Sequence, residues 1–199
     1  MFTFSFHFDD FFSSTRDVKN AQVKSLAWHP HVAKLALTMK DDTVQVVLTS
    51  SNIKPLLKHK KQKQVACLAW RPYSASELAI GCSSGVLIWT VDPISVVARP
   101  SAACVSLLSE DLTHHQPVTS VAWNPQGTLL LTCSAADTSM YVWNTASEVK
   151  VPLKRIGGGG VHLATWSPLG SAVMAATVST GESLSKILYS RIFQYNREE

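Results

Sequence analysis

The sequence predicts an all-β protein assembled from repeated short sheets, and three observations carry that prediction. One apolar run closing in Trp-X-Pro occurs four times, with tryptophans 42, 53 and 43 residues apart. Each copy is followed by a turn and a second apolar run short enough for a strand. Finally, hydrophobic residues make up 46% of the 199 positions while charged residues hold only 16%, against a usual quarter or so. That balance speaks against long disorder, collagen or an extended coiled coil.

The four runs are Val23–Pro30, Val65–Pro72, Val118–Pro125 and Val161–Pro168. Each reads as a strand stopped by a proline, which cannot donate to a ladder. The turn that follows is most legible at Pro125-Gln126-Gly127, and second strands are expected at Leu35–Thr38, Leu78–Gly81, Leu129–Cys133 and Ala172–Thr177. Third strands are expected at Asp42–Val47, Ser84–Trp89 and Asp137–Trp143, with none in the fourth copy. A period near 40 to 45 residues with a Trp closing the third strand marks the blades of a WD-repeat β-propeller. About three and a half blades are present, at roughly 21–50, 63–92, 116–146 and 159–178. Residues 1–20 form a Phe-rich segment, read as an edge strand or a disordered start, and 179–199 a divergent tail.

Blades bury their sheets only against one another. Trp28, Trp70, Trp123 and Trp166, with Leu26 and its equivalents, are therefore packing residues, as are the third-strand tryptophans Trp89 and Trp143. In many such blades a His, a Ser or Thr, an Asp and the closing Trp form a buried hydrogen-bonded set. Blade three can supply His115, Ser134, Asp137 and Trp143, and blade two His59, Ser83 and Trp89. The two ends of so short a stack would expose apolar faces and strand edges. A partner or further sequence is needed to cover them, and the isolated chain is expected to be weakly stable or self-associating.

No reaction chemistry has a visible address. Cys67, Cys82, Cys104 and Cys133 are spaced 15, 22 and 29 residues apart with no Cys-x-x-Cys, so buried thiols are expected and a zinc site is not. His29-Pro-His31 and His114-His115 lie in loops without further ligands at metal spacing. The glycines 157–160 precede a strand instead of opening a helix, which makes them a connection between blades and no phosphate loop. Asp41-Asp42 and Glu110-Asp111 read as solvated turn residues. No catalytic residue, cofactor site or metal site is assigned, and no stretch approaches the ~18 apolar residues of a membrane span. The net charge of +4 is too small to imply nucleic acid. Five lysines do cluster between Lys54 and Lys63. Of these, Lys58, Lys60, Lys61 and Lys63 form a candidate loop for an acidic partner, without the interleaved aromatics that stack bases.

Several stretches are more specific than a generic blade: Ala27–His31, Leu57–Lys60 leading into Val65–Trp70, Leu87–Pro93, Arg99-Pro100-Ser101, Pro117–Trp123 and Gly158–Val161. Together they resemble the aladin family of WD-repeat nucleoporins over roughly residues 20–178. The resemblance implies a scaffold of the nuclear pore complex at the nuclear envelope, without catalysis, that supports nucleocytoplasmic transport. It also implies nucleoporin partners, including a transmembrane nucleoporin that provides the anchor. Family members carry more sequence before the first blade and more blades after the fourth, so the resemblance implies a partial form. Two alternatives stand beside it: a WD-repeat adaptor in a ubiquitin ligase or spindle-associated complex, and a propeller enzyme with residues drawn from several loops.

Overall fold

The computed structural model describes residues 23–48, 51, 53–92, 97–108, 117–147, 149–154, 160–177 and 189–194. It is an all-β arrangement of four antiparallel sheets. Blade one orders β1 (Val23–Trp28), β2 (Lys34–Met39), β3 (Val44–Leu48) and β4 (Leu56–Leu57) as consecutive neighbours. Blade two repeats this with β5 (Cys67–Trp70), β6 (Glu77–Cys82), β7 (Gly85–Thr90) and β8 (Val105–Leu107), a 3₁₀ turn at Ala102–Cys104 preceding β8. Blade three is β9 (Ser120–Trp123), β10 (Leu129–Cys133), β11 (Ser139–Asn144) and β12 (Val149–Lys154), and blade four is β13 (Val161–Trp166), β14 (Ala172–Thr177) and β15 (Tyr189–Gln194). Strands that neighbour in sequence pair throughout, so each sheet is a meander whose register local turns can set. The predicted turn after Pro125 is present, with Gly127 at φ +68, a region that glycine enters without steric cost.

The four sheets pack face on face in chain order, with their first strands side by side. Three apolar seams result. Val46, Leu57 and Ala36 of blade one meet Leu68, Trp70, Ile80 and Trp89 of blade two. Ala79, Val86 and Ile88 on the other side of blade two meet Val121, Trp123, Leu130 and Trp143. Leu131, Met140 and Val142 of blade three meet Ala164, Trp166, Val173 and Ala175. This is part of a β-propeller, in which alternate residues of one strand serve two different seams.

Two features go beyond the sequence reading. The expectation that the fourth copy lacks a third strand is corrected by β15, which pairs with β14 from Ala172↔Gln194 to Thr177↔Tyr189. The strand has no closing tryptophan, and pairing does not require one; Tyr, Ile and Phe at 189, 192 and 193 are residues of high strand propensity. The outer strands β4, β8 and β12 also carried no periodic signal. Pro152 is tolerated within β12 because that strand is the sheet's edge, where a missing N–H faces outward. The one described glycine of the 157–160 run has a packing reason. A Cβ on Gly160 would collide with the Ala135 carbonyl, so the backbones of two blades approach closely there.

Candidate functional site: the blade seams and the basic loop

The tryptophan that ends each first strand does more than fill space. The Trp70 indole Nε1 donates to the Ala27 carbonyl at 3.1 Å, Trp123 to Ala69 at 3.2 Å and Trp166 to Ala122 at 3.0 Å. In every case the acceptor is the residue before the preceding blade's tryptophan. One bond is thus repeated three times along the inner rim, satisfying the polar end of a buried aromatic.

In blades one, three and four the residue between Trp and Pro has a shared task that periodicity does not reveal: it accepts backbone amides of the turn that follows. His29 Nδ1 accepts from the His31 and Val32 amides, both at 3.1 Å. Asn124 Oδ1 accepts from Thr128 and Leu129 N, both at 2.8 Å. Ser167 Oγ accepts from Ala172 N at 3.1 Å. The same turns reach across the seams. His29 Nε2 bonds the Ser74 carbonyl at 2.9 Å, Arg71 Nε donates to the Gly127 carbonyl at 2.6 Å, and Gln126 Nε2 donates to the Leu169 carbonyl at 3.4 Å. Because Nδ1 accepts two N–H groups, the imidazole proton of His29 sits on Nε2. Burial holds this imidazole below its ordinary pKa, against the raising pull of the Ser74 carbonyl.

Cations cover the seam aromatics. Lys34 is fully enclosed, donates to the Ala75 carbonyl and lies 4.7 Å from the centre of the Trp70 ring. Burial pushes its ammonium below the usual pKa, opposed by the charge of Asp92. One seam further, the Arg71 guanidinium stands 5.4 Å from the Trp123 ring while pairing with both carboxylate oxygens of Glu77.

The third-strand tryptophans choose different partners. Trp143 Nε1 donates to Thr132 Oγ1 at 2.9 Å. At the matching place in blade two stands Ile80, which has no hydroxyl, and Trp89 Nε1 instead reaches Gln62 Oε1 at 3.0 Å. Of the expected set in blade three, Ser134 Oγ accepts from Ala136 N, Asp137 uses its carbonyl to accept from Val161 N across the last seam, and His115 lies outside the described residues. In blade two, His59 Nδ1 accepts from Lys61 N and Ser83 Oγ donates to the Lys63 carbonyl. Gln62, which the sequence did not single out, holds the indole.

Gln62 also anchors the lysine-rich loop. Buried, it donates to the Asp42 and Leu57 carbonyls. The Asp42 carboxylate accepts from Gln64 N at 2.9 Å and Val65 N at 3.0 Å, and pairs with Lys24 at 2.7 Å. Although partial burial opposes it, the Lys24 ammonium and these amides hold the carboxyl below its ordinary range. Asp42 is therefore a latch between blade one and the loop, where the sequence reading had a solvated turn residue. Held by that latch and Gln62, the loop leaves Lys58, Lys60 and Lys63 exposed, with Lys61 half-buried.

The cysteines are free thiols in the structure, Cys82 and Cys133 buried and Cys67 and Cys104 half-buried. Burial pushes the Cys67 and Cys133 thiols up to about 12, which removes nucleophilic character. A surface cleft of about 810 Å³ beside blade three is lined by Arg71, Asn124, Gln126, Val149, Val151 and Leu169 among others. Arg71 is the only charged residue among the described residues that line it, and that side chain is committed to Glu77 and Gly127. Residues 1–20, His114, Glu110-Asp111 and glycines 157–159 lie outside the described residues. Among the described residues, no helix is long and apolar enough to cross a membrane.

Residues 7–188 match the family described as the Aladin seven-bladed propeller. The chain belongs to that family. It is also similar to COMPASS component SWD1 of Saccharomyces cerevisiae, 37% identical over 91 residues, which is 45% of this chain and 19% of that protein. A probable cytosolic iron-sulfur protein assembly protein 1 of Vanderwaltozyma polyspora is 35% identical over 91 residues, 42% of this chain and 26% of the relative. Its counterpart from Candida glabrata is 30% identical over 132 residues, 63% and 38% respectively. The chain thus spans between 19% and 38% of the length of these curated relatives. In this chain the seam contacts are what the propeller of that family is made of.

Proposed function

We propose that this chain serves as a non-catalytic WD-repeat scaffold of the nuclear pore complex, located at the nuclear envelope and supporting nucleocytoplasmic transport. Its partners are nucleoporins, among them a transmembrane nucleoporin that supplies the membrane anchor. The observation that carries the reading is membership of the aladin propeller family over residues 7–188. The way side chains are used supports it: imidazole, guanidinium, amide and hydroxyl groups at the turns are spent on holding blades together, which leaves loop surface for partners. The reading requires no cofactor, metal, small-molecule substrate or nucleic acid.

Within it, the loop carrying Lys58, Lys60, Lys61 and Lys63 docks an acidic protein segment. A fixed loop presenting several ammonium groups speeds and orients encounter with such a partner. A fluorescently tagged chain is expected at a punctate nuclear rim, and diffuse cytosolic signal would overturn the pore reading. Charge reversal at Lys58, Lys60 and Lys63 is expected to weaken the rim signal while leaving the fold intact.

A second reading is an adaptor in another multiprotein complex, such as a ubiquitin ligase or spindle-associated assembly. Similarity to a COMPASS component and to iron-sulfur assembly proteins supports an adaptor role in general. Affinity capture from cells separates the two, since nucleoporins among the retained proteins favour the first and their absence favours the second. A propeller enzyme would need convergent polar groups at one cleft, together with activity lost on single substitutions.

A further inference from the structure

The lysine-rich loop has basic neighbours that lie far from it in the sequence. Two further lysines come from blade one: Lys24 on β1 and Lys40 in the turn from β2 to β3, both exposed. The Asp41-Asp42 pair of that turn gathers them with the loop. Lys24 Nζ lies 2.7 Å from Asp42 Oδ1. Gln64, at φ +51, turns its own amide and that of Val65 onto the Asp42 carboxylate. Successive N–H groups hold an anion in this way, and the arrangement sets Lys63 beside the turn. On the other carboxylate, the Thr43 hydroxyl donates to Asp41 at 2.7 Å and, with the charge of Lys58 adding to it, holds the carboxyl below its ordinary range. Both aspartates are thus engaged within the turn and on the loop. Among the described residues, Lys40, Lys58, Lys60 and Lys63 form no ion pair. Ammonium groups from three chain segments therefore surround carboxylates that already have partners.

We infer that the binding site for an acidic protein segment spans the first seam, with Lys24 and Lys40 of blade one completing the surface begun by Lys58, Lys60 and Lys63. This rests on the reading of the loop as a docking site and adds the half that the chain scatters over other strands and turns. Charge decides the occupant: an uncompensated positive surface steers and orients a carboxylate-rich segment and repels a basic one. At physiological salt such charges act together over about 8 Å, which lysines grouped around one turn can exploit. The large exposed aromatic rings among the described residues, Trp28 and Tyr73, lie at or beyond the far ends of β1 and β5, so bases would find no stacking surface here. The turn and loop are fixed beforehand by Asp41, Asp42 and Gln62, and little order has to be imposed when the partner arrives. Asp41, exposed and of the opposite sign, weakens the site by repelling the same partner.

The test is fluorescence anisotropy of a labelled oligoglutamate peptide titrated with the 199-residue chain, at low and at physiological salt. Binding is expected, weakening as salt rises. Lys24→Gln, Lys40→Gln and Lys60→Gln are each expected to lower affinity about 2- to 5-fold, the range of an exposed ion pair, and Asp41→Asn to raise it about 2-fold. Lys150→Gln on β12 is expected to change nothing. Lys24→Gln also removes the ion pair with Asp42, so Lys40→Gln, at a side chain that makes no ion pair among the described residues, is the deciding variant. Circular dichroism checks that each variant keeps its fold. No binding by the parent chain overturns the loop reading and this inference together. A loss in Lys60→Gln with none in Lys40→Gln or Lys24→Gln leaves the loop reading standing and overturns the site across the seam. Tighter binding of an oligothymidylate of equal charge overturns the assignment to a protein segment.

Discussion

Trp28 and Trp123 end equivalent strands in equivalent motifs, yet Trp28 is 43% exposed and Trp123 only 8%. Their local sequences, Leu-Ala-Trp-His-Pro and Val-Ala-Trp-Asn-Pro, explain the shared strand and turn. The difference comes from a neighbour: Trp123 lies against blade two and donates to the Ala69 carbonyl, whereas the near face of Trp28 has no blade before it among the described residues. A repeat motif thus specifies a surface, and the adjoining repeat turns that surface into a core.

The largest effect expected from this contrast is in a pair of truncations. Trp123→Ala is expected to cost about 3–5 kcal/mol, while Trp28→Ala costs about 1 kcal/mol, for a partly exposed ring. Urea denaturation of both variants measures the two losses. Equal losses at the two sites would break the contrast.

A smaller effect separates charge from packing at the first seam. Lys34→Ala is expected to lose about 2–4 kcal/mol, since it empties the space beneath Trp70. Lys34→Met keeps the stem and removes the buried ammonium, and is expected to stay within about 1 kcal/mol of the parent. Thermal or chemical unfolding of both variants checks this. A methionine variant as damaged as the alanine one would show that the ammonium bond to the Ala75 carbonyl, and not the stem, holds the seam.

The smallest expected effect is a pH dependence at His29. Its folded pKa is lowered, by burial first, so between that value and the ordinary ~6.5 the unfolded chain binds the extra proton and the folded chain does not. The stability contributed is complete above the unfolded pKa and is lost as pH falls through the folded one. A second proton on the ring would sit on Nδ1, facing the His31 and Val32 amides. His29→Asn, which borrows the fastening that Asn124 provides in blade three, is expected to lower the midpoint less than the parent between pH 7.5 and pH 5.5. Urea midpoints at both pH values decide it, and identical slopes would remove His29 as the cause.

Much of this fold was legible. The expected ranges Leu129–Cys133 and Ala172–Thr177 coincide with β10 and β14, because alternation and a stopping proline are local signals. β15 has no closing tryptophan to mark it, and β4 spans two residues, too few to carry a period. The candidate site was less legible. Lysines 58 to 63 are visible as charge, but Gln62 among them reads as one more polar loop residue until Trp89 is seen to donate to it. Thr132 serves Trp143 in the same way, and the residue between Trp and Pro varies too much in chemistry for its common role to show.

By itself the sequence determined that four sheets form, where their first three strands fall with the exception of β15, and which side chains each sheet offers, since strand, turn and proline stop are settled within a few residues. Only the tertiary structure decided which tryptophan meets which carbonyl, which aspartate latches a loop and which apolar side chains are exposed among the described residues. Those partners stand some 20 to 54 residues apart along the chain, and sequence periodicity carries no information about contacts made only when one sheet is laid on the next.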